Sequence, residues 1–410
     1  MATLIPFRAL RPRPADAARI AAVPYDVVNT EEARVLAEGN PLSFLRVSRA
    51  EIELPPTVDP YSDEVYKRAA ENFSKLKARA FELEAEPSLY FYRLRMESHE
   101  QTGVAACFAL AEYDCHLIKK HERTRRDKED DRTRHMIALG AQTGPVFLIY
   151  RSSADVNAVC ARATKHDPLI DFEAPDHVRH TLWRVGGADR DELVRAFQQI
   201  PALYIADGHH RAASAARARA EIGAMHLEGA SLGDGADVSS VLAVAFPHDQ
   251  MQVLAYNRVV KDLDGLSPEA FLGKVGEAFS IEPGPAMPAR RGEIAMCLGG
   301  QWRTLRPRVP PSAADVTALL DVSVLQNGLL DPVLGIVDVR TDKRIDFVGG
   351  ARGTGELQHM VDSGRAAVAF SLYPVSIADL MTVSDADKIM PPKSTWFEPK
   401  LRDGLLIHMI

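Results

Sequence analysis

The sequence has little cysteine and no long apolar run. Four cysteines occur among 410 residues, none in a CxxC pair, a usage that excludes a disulfide framework and a zinc ribbon and favours reduced thiols. No apolar stretch approaches the roughly 20 residues that a bilayer-spanning helix requires. The first residues show no signal-peptide pattern. We therefore expect a globular, cytoplasmic protein without a membrane partner.

An excess of positive charge is also missing. Lysine and arginine number 49 against 56 aspartates and glutamates, which gives a formal net charge of −7. Proteins that coat duplex DNA derive their affinity from many cations that neutralise phosphates, so a nucleic-acid partner is not expected. The balance is compatible with a local basic site for one small phosphate-bearing ligand.

Three familiar catalytic motifs are absent as well. The HExxH pattern of zinc proteases fails because Arg125 stands where the second histidine is required. The glycines of the GxxxxGK[ST] phosphate loop are missing around Lys393, and no GxSxG elbow occurs. The zinc-protease, Walker A and serine-hydrolase interpretations are therefore rejected.

The sequence does contain alternating helix and strand patterns. Apolar spacings of three and four predict helices, and short aromatic or β-branched runs predict strands. The predicted helices are 61–83, 119–139, 189–199, 212–224, 313–330, 356–362 and 377–386. The predicted strands are 88–95, 104–111, 145–150, 202–206, 241–246, 251–260, 345–350 and 366–374. This alternation predicts an α/β fold with mixed sheets.

The length predicts two or three domains, or one α/β body with an appendage. A Gly/Asp-rich segment at 229–240 is typical of a mobile loop or a domain boundary. We therefore predict an N-terminal α/β portion over 1–228 and a C-terminal α/β portion over 241–410. The second portion ends in the segment PPKSTWFEPK at 391–400.

The most specific local feature is Asp207-Gly208-His209-His210-Arg211, between a predicted strand and an alanine-rich helix. A helix that opens directly after a strand presents its first N–H groups and the positive end of its dipole to an anion. Gly208 would let a phosphate approach the backbone, and the histidines and Arg211 add ionisable donors. The simpler alternative is that Asp207 only caps the helix and the histidines are surface residues.

A second feature is the charged segment 119–135, which opens with His121-Glu122-Arg123-Thr124. Eight of the sixteen residues from 119 to 134 are Lys or Arg and five are Asp or Glu. Such a pattern is typical of a solvated helix face with i,i+4 ion pairs. Alternatively, an acid, a cation and a hydroxyl converge at the start of this predicted helix.

The third feature is the proline-rich tail at 388–404. Its prolines exclude a regular helix, Lys393, Ser394, Thr395 and Lys400 offer phosphate-type donors, and two aromatic residues offer stacking surface for a base. The alternative is a strap that packs on the core through its aromatic side chains.

Seven segments follow one another in a fixed order along nearly the whole chain. They are PYDVV at 24–28, NP at 40–41 with FLRV at 44–47, HERT at 121–124, TGPV at 143–146, ADGHHR at 206–211, LGI at 334–336 and MPPKSTWFEPK at 390–400. Together they resemble the uncharacterised bacterial family known as domain of unknown function 1015. The DGHHR segment alone also resembles the phosphate-binding strand–turn–helix of the ParB/sulfiredoxin-like superfamily, which includes nucleotide-binding partition proteins and free-serine kinases.

The resemblance implies a ParB/sulfiredoxin-like phosphate-binding core with a second α/β portion. Combined with the residues, it favours a nucleotide-dependent phosphotransferase that acts on a small hydroxyl metabolite, with free serine as the best guess and with Mg²⁺ and ATP or ADP as cofactors. The expected catalytic residues are Glu122, Asp207, His209, His210 and Asp26, with Glu122 or Asp26 as base and Asp207 as orienting group or Mg²⁺ ligand. The expected phosphate- and nucleotide-binding residues are Gly208, Arg211, Arg123, Thr124, Lys393, Ser394, Thr395 and Lys400.

Several alternatives stay open. The same phosphate-binding residues would suit a phosphoserine phosphatase, or a ParB-like nucleotide-binding regulatory protein without metabolic turnover. A scaffold with a decayed site is a third alternative, because Tyr256-Asn257-Arg258 stands where the family is expected to show Thr-His-Arg. The expected partners are a small-molecule substrate and a nucleotide, and a homodimer is one open alternative for the assembly.

Overall fold

The chain divides into two units in the computed structural model, which describes residues 1–227, 237–312 and 314–410. Unit 1 comprises Met1–Lys120, Thr124–Met251 and Pro399–Ile410, and unit 2 comprises His121–Arg123 and Gln252–Glu398. Residues 229–236 of the predicted boundary segment 229–240 lie outside the described residues. The strand that follows it pairs within the unit 1 sheet, so the division falls after Met251.

Unit 1 is built on a mixed sheet with nine strands in the described part of the chain. The strands of unit 1 up to residue 247 are β1 Leu4–Ile5, β2 Leu10–Pro12, β3 Phe81–Leu83, β4 Leu89–Met96, β5 His99–Ala109, β6 Ile118–Lys119, β7 Ala141–Gln142, β8 Val146–Tyr150, β9 Ile170–Glu173, β10 Val178–Val185, β11 Leu203–Asp207 and β12 Ser240–Pro247. The sheet order is β6-β11-β8-β12-β5-β4-β10-β9, with β1 beside β5. The pairs β6/β11 and β8/β12 are parallel and the others antiparallel.

Two short pairs lie apart from this sheet. Strand β2 pairs with β3, and β7 pairs with the strand His408–Met409 near the end of the chain. The C-terminal segment is thereby held in unit 1 by backbone hydrogen bonds.

The helices of unit 1 bury apolar faces in two hydrophobic cores, one against the nine-stranded sheet and one formed mainly by the helices of the first 80 residues. These helices are α1 Ala17–Ile20, α2 Thr30–Ala37, α3 Leu45–Ser48, α4 Asp63–Ala80, α5 Leu110–Asp114, α6 Arg126–Leu139, α7 Ala154–Ala163, α8 Gly187–Phe197 and α9 His209–Leu227. In α9 the small residues Ala212, Ala215 and Ala218 recur at helical spacing and are buried in the core with the sheet. Small side chains allow this helix to lie close to the strands that precede it.

Unit 2 contains a six-stranded antiparallel sheet and a separate strand pair. Its strands are β13 Gln252–Leu254, β14 Tyr256–Val260, β15 Phe279–Pro283, β16 Ile294–Leu298, β17 Gln301–Pro307, β18 Ile345–Gly349, β19 Val368–Leu372 and β20 Trp396–Glu398. Its helices are α10 Pro268–Ala278, α11 Asp321–Leu325, α12 Asp331–Leu334, α13 Gly353–Asp362 and α14 Ile377–Asp385, with a π-helical turn over Gln326–Leu330. The sheet order is β15-β17-β16-β19-β14-β18, and β13 pairs with β20.

The predicted α/β class with mixed sheets is confirmed, and the strands predicted at 88–95 and 104–111 correspond to β4 and β5, which pair antiparallel. The helix predicted over 119–139 is wrong at its start: 118–119 pair with β11, and α6 begins only at Arg126. The helix predicted over 313–330 is wrong only in its first part: among its described residues, helical structure starts at Asp321 and continues to Leu330. The strand predicted over 251–260 divides between β13 and β14, which belong to different sheets.

The four cysteines are free thiols, and Cys107 and Cys297 are buried. Among the described residues, no helix combines the length and the apolar character needed to cross a bilayer.

Candidate functional site

A strand, a glycine turn and a helix build the DGHHR segment as the sequence predicts, and the strand also contains a bulge that the sequence does not predict. Along β11 the register with β8 passes from Ile205 opposite Leu148 to Asp207 opposite Phe147, so Ala206 is bulged. Bulges redirect the side chains that follow them. Gly208 then adopts φ +90°, a backbone conformation that other residues rarely take, and α9 starts at the next residue.

Asp207 lies at the centre of a charged cluster in unit 1. Its Oδ2 accepts a hydrogen bond from Lys400 Nζ at 3.0 Å, its Oδ1 accepts one from the Gly208 N–H at 2.7 Å, and Arg211 Nη2 lies 3.9 Å from Oδ1. Burial works to raise the pKa of the Asp207 carboxyl, but Lys400 and Arg211 hold it well below its usual range. The carboxylate is therefore ionised and orients both cations.

Arg211 is buried, with 5% of its surface exposed. Its Nη1 donates to the Pro145 carbonyl, while its Nε has no hydrogen-bond partner among the described residues. Burial works to lower the pKa of Arg211, and Asp207, Asp26 and Asp403 raise it above its ordinary value. The guanidinium thus stays cationic and keeps one unused donor, which suits recognition of an anion.

The Pro24–Val28 motif places Asp26 beside this cluster. Tyr25 is buried, and the Arg132 guanidinium lies 4.1 Å from the centroid of its ring. Arg132 is itself paired with Asp131 at 2.8 Å. The neighbouring Asp26 side chain is exposed. The buried Tyr25 therefore anchors the backbone next to a solvent-exposed carboxylate that acts on Arg211.

The HERT motif does not form the start of a helix, which corrects the sequence expectation. Thr124 precedes α6 and its hydroxyl donates to Glu129 in the first turn. The Arg125 N–H donates to His210 Nε2 at 3.0 Å. His210 therefore accepts through Nε2 and carries its ring proton on Nδ1, whereas the adjacent His209 is buried.

In unit 2 the first part of this motif meets the proline-rich tail. The His121 carbonyl accepts the Met390 N–H at 2.8 Å, and Thr395 Oγ1 lies 3.4 Å from His121 Nε2. Ser394 Oγ donates to the Pro391 carbonyl at 2.6 Å, which shapes the turn. Lys393 is exposed, with its ammonium 5.6 Å from the ring centroid of Tyr256.

The predicted site residues fall into two groups. Unit 1 carries Asp26, Thr124, Asp207, Gly208, His209, His210, Arg211 and Lys400, and unit 2 carries Glu122, Arg123, Lys393, Ser394 and Thr395. Glu122 is half-buried and Arg123 is exposed. In the first group, Asp207, Gly208, Arg211 and Lys400 are in direct contact.

Asp207 does not fit the role of a Mg²⁺ ligand in this arrangement. Both of its oxygens accept hydrogen bonds from N–H donors, and two cationic side chains flank it. A divalent cation prefers carboxylates that are free of such cationic neighbours. Of the two roles considered for Asp207, the geometry favours the orienting group.

The family comparison confirms the family resemblance stated above. The model for the family described as a protein of unknown function (DUF1015) matches residues 4–323. The chain belongs to the DUF1015 family. No curated protein matches this DUF1015 chain.

Solved structures resemble the DUF1015 chain only distantly. A free serine kinase in complex with AMP has 13% identity and a TM-score of 0.37, and the match covers 73% of this chain and 92% of that one. A conserved hypothetical protein from Pyrococcus furiosus has 13% identity and a TM-score of 0.36, with 74% and 95% covered. SbnI from Staphylococcus aureus, truncated at its C-terminus, has 11% identity and a TM-score of 0.37, with 73% and 85% covered.

Asn257, which replaces the histidine expected in the DUF1015 family, has a structural role in this chain. It is buried in β14, and its Oδ1 accepts the Leu372 N–H at 3.3 Å. The next residue, Arg258, is buried too and donates to the carbonyls of Pro392 and Lys393. The YNR segment therefore holds the PPK turn of unit 2 in place.

Sequence reasoning missed two residues of the unit 1 cluster, Asp403 and Gly144. Asp403 is 3% exposed, and a Cβ on Gly144 would lie 2.3 Å from its Oδ1. The available signals were the glycine of the TGPV motif and an aspartate three residues after Lys400. Neither signal indicates burial, so the contact was not foreseen.

Proposed function

We propose that this DUF1015 chain is a nucleotide-dependent phosphotransferase that acts on a small hydroxyl metabolite, with free serine as the best guess. The observation that carries the proposal is the Asp207–Lys400–Arg211 cluster at the N-terminus of α9. It combines two oriented cations with the positive end of a 19-residue helix. Such a cluster is suited to the charge that a transferring phosphoryl group spreads over its oxygens.

In the proposed reaction the substrate hydroxyl attacks the terminal phosphorus of the nucleotide. The new O–P bond forms as the bond to the leaving nucleotide oxygen breaks, and the hydroxyl proton passes to a carboxylate. Asp26 is a candidate base because it is exposed and its charge acts on Arg211, and the role of Glu122, which belongs to unit 2, stays a prediction from the sequence. Gly208 and Arg211 would hold the phosphate, and Asp207 would orient Lys400.

The remaining predicted residues enter the proposal as nucleotide contacts. Thr124 in unit 1 would contact a phosphate oxygen, and nucleotide contacts of the unit 2 residues Arg123, Lys393, Ser394 and Thr395 stay predictions from the sequence. The nucleotide is ATP or ADP, and Mg²⁺ would accompany it as the usual counterion of its phosphates. No step is assigned to an ion on Asp207.

A direct assay tests the proposal. The full chain, at micromolar concentration, is incubated with serine, Mg²⁺ and either ATP or ADP, and phosphoserine is measured by mass spectrometry. We expect phosphoserine to accumulate and the Arg211→Ala variant to lose activity and nucleotide affinity. The matched control is Arg219→Ala in the same helix, whose exposed ion pair with Asp114 lies at 2.8 Å, and it should retain both.

Other outcomes point to the alternatives. Absence of product with every hydroxy amino acid rejects the kinase. Release of inorganic phosphate from phosphoserine instead supports the phosphatase. Nucleotide binding without any turnover supports the ParB-like regulatory protein.

A further inference from the structure

The C-terminal segment passes directly through the unit 1 cluster. Lys400 pairs with Asp207 at 3.0 Å, and three residues later Asp403 exchanges backbone hydrogen bonds with Ala22 at 2.9 and 3.2 Å. The Gly404 N–H donates to the Thr143 carbonyl at 3.0 Å. Two separate parts of unit 1 thus fix the backbone on which the Asp403 carboxyl stands.

The Asp403 carboxyl is buried without full hydrogen bonding. Only 3% of the residue is exposed, and its Oδ1 has no hydrogen-bond partner among the described residues. Burying a carboxylate in this way costs several kcal/mol in principle. A group kept in such a position is expected to act on a neighbouring charge, because perturbed ionisable groups concentrate at functional sites.

The charged neighbours of Asp403 come from each element around it. They are Arg211 on α9, Asp26 in the Pro24–Val28 motif, Arg132 on α6, Arg402 on the same segment and the Tyr92 phenol on β4. Arg402 is engaged elsewhere, since it donates to His180 Nε2 at 3.1 Å and pairs with Asp176. Arg132 is likewise paired with Asp131. Of the three arginines, Arg211 lowers the pKa of Asp403 most, and its Nε has no hydrogen-bond partner among the described residues.

A steric path also links Asp403 to Arg211. The carboxyl occupies the space where a Cβ of residue 144 would stand, at 2.3 Å. The next carbonyl along the chain, that of Pro145, accepts the hydrogen bond from Arg211 Nη1. The carboxyl therefore packs against the same peptide segment that anchors the guanidinium.

We propose that Asp403 is a positioning residue of the phosphate site, which with Gly144 sets where the Arg211 guanidinium stands and how much positive charge it presents to an anionic ligand. The inference rests on the proposed function, because it takes the Arg211 cluster as the phosphate site. Burial raises the pKa of Asp403 to about 7, against the lowering effect of Arg211. When Asp403 is neutral, the full positive charge of Arg211 attracts an anionic ligand. When Asp403 is ionised, its negative charge weakens that attraction.

The test is a calorimetric titration of the full-length protein with ADP and, separately, with inorganic pyrophosphate at pH 6, 7 and 8. The variants are Asp403→Asn and the control Asp189→Asn, which alters the surface ion pair with Arg162 at 3.0 Å, a pair that does not act on the pKa of Asp403. We expect Asp403→Asn to bind like the wild type at pH 6 and about fivefold more tightly than the wild type at pH 8. The control should follow the wild type at every pH, and comparison at equal pH removes the titration of the ligand itself.

A ratio of affinities between Asp403→Asn and wild type that does not change with pH would overturn the proposal. Pyrophosphate binding with the expected ratio, but no ADP binding, would support the role of Asp403 and reject the nucleotide. Failure of the wild type to bind either ligand rejects both proposals.

Gly144→Ala supplies an independent variant for the steric part of the inference. The added methyl group must displace either the carboxyl or the 144–145 peptide, so we expect roughly tenfold weaker pyrophosphate binding at both pH 6 and pH 8. Circular dichroism checks its fold. A folded Gly144→Ala protein with wild-type affinity would contradict the positioning role, and if this variant does not fold, the Asp403→Asn pH series decides.

Discussion

Lys400 donates a hydrogen bond to Asp207 at 3.0 Å although the two residues are 193 positions apart in the sequence. The Lys400 and Asp207 side chains are only 13% and 24% exposed, so the ion pair is shielded from much of the solvent. Partial burial makes the loss of one partner more damaging than at an open surface. The pair ties the helix-opening turn to the C-terminal segment.

Replacing Lys400 by Met should therefore leave Asp207 with one cation fewer. We expect the free energy of unfolding to fall by about 2 kcal/mol and nucleotide affinity to fall at least about tenfold. Chemical denaturation and calorimetry measure the two effects. The control Lys388→Met breaks an ion pair of similar length, 2.9 Å to Asp315, whose side chains are 43% and 48% exposed, and should change stability far less, because solvent screens an exposed pair. Equal effects of both variants would contradict the assigned role of the buried pair.

Gly208→Ala should damage the turn for two reasons. The residue has φ +90°, and an added Cβ would lie 3.0 Å from Arg211 Nε. We expect a loss of about 1–2 kcal/mol in the free energy of unfolding from the backbone alone, together with weaker phosphate binding. Gly223→Ala in the same helix has open space around its Cβ and should be neutral or stabilising by up to about 1 kcal/mol. Denaturant midpoints of the two variants that coincide would argue against strain at Gly208.

The stability of the protein should depend on the ionisation of Asp403. Its folded-state pKa of about 7 exceeds the ordinary value of about 3.9, so its stabilising contribution is present below pH 4 and is lost as the pH rises through 7. We expect the stability of Asp403→Asn relative to wild type to increase by roughly 3 kcal/mol between pH 5 and pH 8. Denaturation at both pH values measures the difference. A relative stability that falls over this interval would reverse the assigned sign.

His135 should produce the opposite pH dependence. Burial, with help from Arg132, lowers its pKa to about 4, and its Nε2 lies 3.0 Å from the Val47 carbonyl. A depressed pKa means that stability is complete above about pH 6.5 and is lost as the pH falls towards 4, by up to about 3 kcal/mol. His135→Gln should therefore reduce the loss in the free energy of unfolding between about pH 6.5 and pH 4. His177→Gln, at a side chain that is 88% exposed, is the control and should leave the profile unchanged.

The sequence predicts local structure better than long-range contact. The strand, the glycine turn and the helix at 207–211 follow from neighbouring residues alone, and the structure contains them. The helix start at 119 was wrong because the sheet takes up Ile118–Lys119, a pairing that local periodicity does not reveal. Tertiary pairing of this kind overrides helix propensity.

In the candidate site, too, the sequence predicts local features better than long-range contacts. Asp207 and Lys400 were each selected for their chemistry, yet nothing in the spacing indicates that they touch. Asp403 was overlooked because an aspartate next to a glycine is typical of an exposed turn. Its burial depends on Ala22 and Thr143, which lie far away in the sequence.

The separation of 193 positions between Asp207 and Lys400 also imposes an order on synthesis. At about 5–20 residues per second, Lys400 is made roughly 10–40 s after the turn that it completes. Until then the nascent chain has the helix N-terminus and Arg211, but neither Lys400 nor Asp403. A chain that stalls or is cleaved before Pro399 therefore lacks the final pieces of the cluster, so any ligand affinity of this site is reserved for protein that has been translated past that point.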